Sequence, residues 1–200
     1  MKHIKCVVDG DITVGKTCLL ITYTTNVFPS EYISSIFDSH SVKVRVENQS
    51  IELGLWDMVG HENHSKLIPL VYPFTNCFIL CFSLVSLTSL ENIENKYVPL
   101  IKKYCPNVPF IIVGTKSDLR DAYEQHEYEF KSKGWQPIPS SKGEEMKNKV
   151  GAQYYVECSS LKQLHLDDVF ELATQVALNS PNQMNASCSE DKQDSCCIIM

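Results

Sequence analysis

Eight consecutive residues, Gly10-Asp11-Ile12-Thr13-Val14-Gly15-Lys16-Thr17, carry the spacing G-x-x-x-x-G-K-T. Residue types in this order suit one task, holding a chain of phosphates. Backbone N–H groups of a glycine-bounded loop can turn inward around a β-phosphate. A helix that starts at the lysine adds the positive end of its dipole. Lys16 is placed to reach the β- and γ-phosphates, and the Thr17 hydroxyl to ligate Mg²⁺. An apolar run over 4–8 precedes the motif and Cys18-Leu19-Leu20-Ile21 follows it, so the loop joins a buried strand to a helix. A glycine-rich turn before an incidental lysine is the plainer alternative, and the strand–helix context argues against it.

Further candidates lie downstream. Leu53-Gly54-Leu55-Trp56-Asp57 reads as a strand ending in a carboxylate, a second oxygen ligand for Mg²⁺. Thr115-Lys116-Ser117-Asp118 follows an apolar run over 110–114. A carboxylate there accepts paired hydrogen bonds from N1–H and an exocyclic amine, which guanine has and adenine lacks. A site built around such bonds rejects the wrong partner by about 10⁴-fold. Ser159, Ser160 and Leu161, after the last apolar run, can add backbone N–H groups for the base carbonyl. Residues 27–38 lack periodicity and read as a loop whose Tyr32, Ser34 and Ser35 offer hydroxyls, in a position that suits contact with Mg²⁺. His61 and His64 share a helical face but have no third ligand for zinc, and read as solvent-facing.

These residues need a scaffold, and the apolar runs supply one. Strands are predicted over 4–8, 40–46, 51–56, 77–83, 110–114 and 154–157, with helices starting near Lys16, Leu87, Ser141 and Leu166. The alternation implies an α/β fold, a doubly wound, mostly parallel six-stranded sheet flanked by helices, with ligands bound beyond the strand ends. Two hundred residues suit one such domain, predicted over 1–177. Its charge, 18 basic against 24 acidic residues, argues against a nucleic-acid partner. The N-terminus runs directly into the first strand, so no secretory signal is expected. Cys6, Cys18, Cys77, Cys81, Cys105 and Cys158 sit among apolar neighbours and read as reduced core thiols. The charged and aromatic segment 120–137 reads as a short exposed helix with a turn at Gly134, serving either as a solvated face or as a partner surface. Residues 178–200 are predicted to be a disordered tail. It ends Cys196-Cys197-Ile198-Ile199-Met200, a C-a-a-X prenylation pattern on Cys197. One lipid gives only reversible anchoring. Lys192 is the tail's sole base, so acylation of Cys196, with Cys188 as a further candidate, is the expected second signal.

With these residues in view, the chain resembles the Rho-family small GTPases, and within them the Rac branch. The resemblance rests on the phosphate loop and on Glu31-Tyr32-Ile33, Phe37-Asp38, Leu53–Asp57, Cys81-Phe82-Ser83-Leu84-Val85-Ser86, Thr115–Asp121 and Glu157-Cys158-Ser159. Segment 120–137 matches the extra helix that separates Rho proteins from Ras. The resemblance implies GTP/GDP and Mg²⁺ as cofactors. Its nucleotide contacts are residues 10–18, Phe28, Tyr32, Ser35, Asp57, Gly60, Thr115, Lys116, Asp118 and 159–161. Thr17, Ser35 and Asp57 would be the metal ligands. Effectors, often acting on actin, would read a loop of Tyr32, Ile33, Ser34, Ser35, Ile36, Phe37, Asp38, Ser39 and His40. A second switch would cover 57–67. Exchange factors, a dissociation inhibitor and a lipid-held place on the cytoplasmic face of the plasma membrane follow from the same likeness, as does a monomeric state.

Several positions depart from the family pattern. Ile12 replaces glycine, His61 replaces glutamine, Val59 alanine, Ser35 and Met58 threonine, Ser34 proline, and Asp9 an apolar residue. The glutamine orients the attacking water, and an arginine from an activating protein enters beside the glycine. A β-branched side chain at 12 fills that space, and an imidazole at 61 cannot present an amide donor and acceptor together. Hydrolysis, the catalytic task shared by Lys16 and His61, is therefore expected to be strongly impaired and the protein to dwell in the GTP state. Ser35 keeps a hydroxyl for Mg²⁺ but is freer than threonine, which weakens closure of the first switch. Two other readings stand beside this one: a cycling GTPase in which His61 does the glutamine's work, and a scaffold whose Asp9 and Ile12 spoil nucleotide binding. A phosphate-loop kinase fits poorly, because the sequence shows no Arg-rich lid.

Overall fold

The computed structural model describes residues 2–30, 38–46, 49–58, 64–125 and 127–180. Six strands form one sheet in the order β2-β3-β1-β4-β5-β6: β1 Lys2–Gly10, β2 Asp38–Val46, β3 Gln49–Asp57, β4 Cys77–Ser83, β5 Phe110–Thr115 and β6 Tyr155–Glu157. Only β2 runs antiparallel, against β3, and the remaining pairings are parallel. The sheet is therefore six-stranded, mostly parallel and flanked by helices.

Side chains alternate across the pleat, so each central strand feeds two cores. Cys6, Val8, Cys77, Ile79 and Cys81 pack with Leu19 and Leu20 of α1 (Lys16–Thr25) and with Val169, Phe170 and Ala173 of α8 (Leu166–Asn179). Val7, Phe78, Leu80 and Phe82 face the other way. There they meet Ile68 of α2 (His64–Val71), Leu90 of α3 (Leu87–Asn92) and Ile101 of α4 (Val98–Tyr104). A π turn, Ile93–Tyr97, joins α3 to α4.

All six strands begin and end within two residues of the expected positions, and Cys77–Ser83 matches at both ends. Helix α2 was not among the expected helices, and it accommodates Pro69 in its interior. Two short helices also flank the end of β5: α5 Ser117–Asp121 and, after a 3₁₀ turn at Tyr123–Gln125, α6 Glu127–Ser132. Segment 120–137 is not merely a solvated helix. Phe130 is 2% exposed and meets Tyr123 and Trp135 edge-on at 5.1 and 5.5 Å, a small core of its own.

Helix α7 (Ser140–Val150) approaches β6 closely through one glycine. A Cβ on Gly143 would lie 2.0 Å from Cζ of Tyr155. The Tyr155 hydroxyl donates to Glu157 Oε1 at 2.6 Å, and Glu157 Oε2 meets Arg120 at 2.6 Å. Both Glu157 and Tyr155 thus brace the strand that leads to Ser159.

Candidate functional site

The phosphate loop starts where β1 ends. Gly10 has φ 145°, and a Cβ there would strike the Cys81 carbonyl oxygen at 2.2 Å, so only glycine fits between β1 and β4. Gly15, at φ 105°, caps α1 in the left-handed region. Thr13 also has positive φ, 61°, which is strained for a β-branched residue. Sequence reasoning placed Thr13 among the nucleotide contacts of the loop but did not foresee this backbone conformation. Its branched type inside a glycine-rich turn was the signal available.

Lys16 lies folded under the loop. Its Nζ donates to the carbonyls of Gly10 at 2.8 Å and Asp11 at 2.7 Å. Burial lowers its pKa, while the Asp57, Asp9 and Asp11 carboxylates pull it back up. Two of its three N–H bonds are engaged, which leaves one for a phosphate oxygen.

The Thr17 hydroxyl donates to Asp57 Oδ2 at 2.5 Å. Asp57 Oδ1 is buried and has no hydrogen-bond partner among the described residues. Burial raises the Asp57 pKa, and the Thr17 bond and Lys16 oppose that rise. A hydroxyl and an orphaned carboxylate oxygen, side by side at a loop for phosphates, are hard oxygen donors that fit Mg²⁺. Such an ion would neutralise charge on the phosphates. Ser35, the third expected ligand, lies outside the described residues, as do Tyr32, Ile33, Ser34, Ile36, Phe37, Gly60, His61 and Val59. Of the effector segment, Asp38, Ser39 and His40 already belong to β2 rather than to a loop.

Beyond Gly15 opens a largely apolar cleft of about 200 Å³. Gly15, Cys18, Phe28, Thr115, Lys116, Asp118, Ser160 and Leu161 line it, together with Leu119. Cys18 is half-buried at this wall, not a core thiol as expected, because α1 turns that face toward the cleft. Burial raises its pKa and Lys116 counters this. Asp118 is 8% exposed and accepts the Ser159 hydroxyl at 2.5 Å, which aims the carboxylate. The motif also clamps the phosphate loop. Lys116, in the left-handed region at φ 60°, donates to the Thr13 carbonyl at 2.6 Å, and the Thr115 hydroxyl reaches the Val14 carbonyl at 2.5 Å. Sequence spacing suggests a base-reading role for these residues but gives no sign of these contacts to the phosphate loop. Phe28, the Lys116 stem and the Asp118 carboxylate share this cleft, an apolar lining with one acid whose chemistry suits a planar base.

A protein-family model described as the Ras family matches residues 5–179. The chain belongs to the Ras family. Small GTPases of this family bind GTP and GDP with Mg²⁺ and work as switches that effectors and regulators recognise. The phosphate loop, the Thr17–Asp57 pair and the base cleft of this Ras-family chain all lie at the C-terminal ends of its parallel strands, where such ligands sit. Among the described residues no three His, Cys, Asp or Glu side chains gather as a separate metal site, and no helix is long and apolar enough to cross a membrane.

Asp9, whose place sequence alone left open, is fully buried on the side of the sheet facing α2 and the π turn. Its Oδ1 accepts the Gly10 N–H at 2.8 Å, and its Oδ2 accepts the Tyr72 hydroxyl at 2.7 Å. Asp11 is drawn the same way. It accepts from Tyr97 Oη at 2.8 Å and Asn92 Nδ2 at 2.7 Å, with Lys96 at 3.8 Å.

Proposed function

We propose that this protein is a Rac-like signalling switch that stays mostly in its GTP form because it hydrolyses GTP poorly. The observation that carries the reading is Ile12. The described parts of the phosphate loop around it, Lys16, Thr17 and Asp57 among them, are in place, while Ile12 itself stands 49% exposed on that loop. A branched side chain there blocks the approach of an activating arginine without disturbing Lys16 or Thr17. The small aromatic core of segment 120–137 supports a Rho-type insert. Intact Lys16, Thr17, Asp57, Lys116 and Asp118 weigh against the nucleotide-free scaffold.

The test is single-turnover hydrolysis with and without a Rac-directed activating protein. Wild type is expected to show little stimulation. Ile12→Gly combined with His61→Gln should recover much of the roughly 10⁵-fold acceleration such proteins reach. Strong stimulation of the wild type would overturn the reading in favour of a cycling GTPase that uses His61. Mass spectrometry of released nucleotide adds an independent check: GTP supports the reading, GDP supports the cycling enzyme, and an empty site supports the scaffold.

The same reading places the protein on the cytoplasmic face of the plasma membrane, held by a prenyl group on Cys197 and an acyl group on Cys196. Effectors tied to actin organisation would read the GTP form. Palmitate-analogue labelling of cells tests the second lipid, and loss of label in Cys196→Ser is the expected result.

A further inference from the structure

Two acids flank the first glycine of the phosphate loop, and both point into the helical layer. The period-2 alternation of β1 puts Asp9 on the face of Val7, among Tyr72, Phe78 and Leu80, where it is 0% exposed. A carboxylate in such a place either finds donors or moves toward the nearest cation. Lys16 is one cation on the other side of the Gly10 peptide. Its ammonium lies on the Gly10 carbonyl, and the Asp9 charge is felt there. One donor that holds Asp9 on the helical side is the phenol of Tyr72, which follows directly after α2.

We propose that Tyr72 is a positioning residue for nucleotide binding: by donating to Asp9 Oδ2 it keeps this buried acid turned away from Lys16, so that the ammonium stays free for phosphate. The inference rests on the nucleotide-binding reading and adds to it. Asp9 thereby becomes compatible with a phosphate site that its negative charge would otherwise oppose. The arrangement also joins the end of α2 to the first peptide of the loop, through Tyr72 Oη, the Asp9 carboxylate and the Gly10 N–H.

The decisive variant is Tyr72→Phe, which removes one oxygen and keeps the ring that packs on Phe78 at 4.7 Å. Asp9 then lacks that donor while its charge remains. Release of a fluorescent GDP analogue is expected to quicken roughly ten- to hundredfold, the range that a lost hydrogen bond to a charged group translates into. Adding Asp9→Val to the same chain removes the acid and should return the rate to within about threefold of wild type, because both partners leave together. Thermal unfolding of the same preparations separates this from a merely structural bond, which would lower the melting temperature and leave release unchanged. Release at the wild-type rate in Tyr72→Phe, or no rescue by Asp9→Val, overturns the proposal alone. A wild type that holds no guanine nucleotide overturns the nucleotide reading and the proposal with it.

Discussion

Replacing Gly143 by alanine sets two physical rules against each other. Helix propensity favours alanine in the interior of α7 by about 1 kcal/mol. Packing opposes it, because the new Cβ would lie 2.0, 2.3 and 2.4 Å from Cζ, Oη and Cε1 of Tyr155. Ordinary contact begins near 3.5 Å, so the ring must retreat by more than an ångström. Its other side is closed: Phe82 stacks on it at 6.1 Å, and a Cβ at Gly114 would already lie 3.1 Å from its hydroxyl. Overpacking of this kind costs about 1–3 kcal/mol. Withdrawing the hydroxyl from Glu157 adds about 1.5–3 kcal/mol for a bond to a charged acceptor. The net expectation is a loss of about 3 kcal/mol, which lowers the melting temperature of a chain this size by about 6–12 °C. Urea and thermal unfolding of Gly143→Ala measure it directly. Combined with Tyr155→Val, Gly143→Ala should cost less than the two single changes added together, because the clash leaves with the ring. A melting temperature at or above wild type for Gly143→Ala would refute the reasoning, since propensity alone would then have decided.

Asp118→Asn exchanges an acceptor for a donor at the base edge while keeping shape and the Ser159 neighbour. Guanine nucleotide affinity, measured by competition with a fluorescent analogue, is expected to fall by about 10³-fold or more, and an unchanged affinity would remove Asp118 from base recognition. Thr13→Gly relieves a β-branched residue at φ 61° and should raise stability by about 1 kcal/mol, or a melting temperature gain of about 2–4 °C. A fall would mean that the threonine side chain makes contacts worth more than the strain.

The sheet was legible because its central strands are buried on both faces and carry unbroken apolar runs. Cys77–Ser83 is the clearest instance. Helix α2 was not: it is short, holds Pro69 inside it, and packs Ile68 and Val71 into the core. The residues expected to contact ligand were picked out by type and spacing. Their second partners did not: no spacing rule joins Lys116 to the carbonyl of Thr13 across 103 positions, or Tyr72 to Asp9 across 63. Such bonds depend on which strand ends meet, a property of topology. Asp9 shows this most plainly. In the sequence it is an acid beside a site for anions, and in the fold it is an acid facing a layer of phenols.

The posture of Lys16 carries a thermodynamic consequence. A free lysine stem samples many rotamers, and freezing it costs about 1.5–2 kcal/mol. Here the two carbonyls of Gly10 and Asp11 have already frozen it, so that cost falls on folding and not on capture of a ligand. An arriving anion meets a cation whose last hydrogen already has a direction, and nearly all of the attraction is kept as affinity.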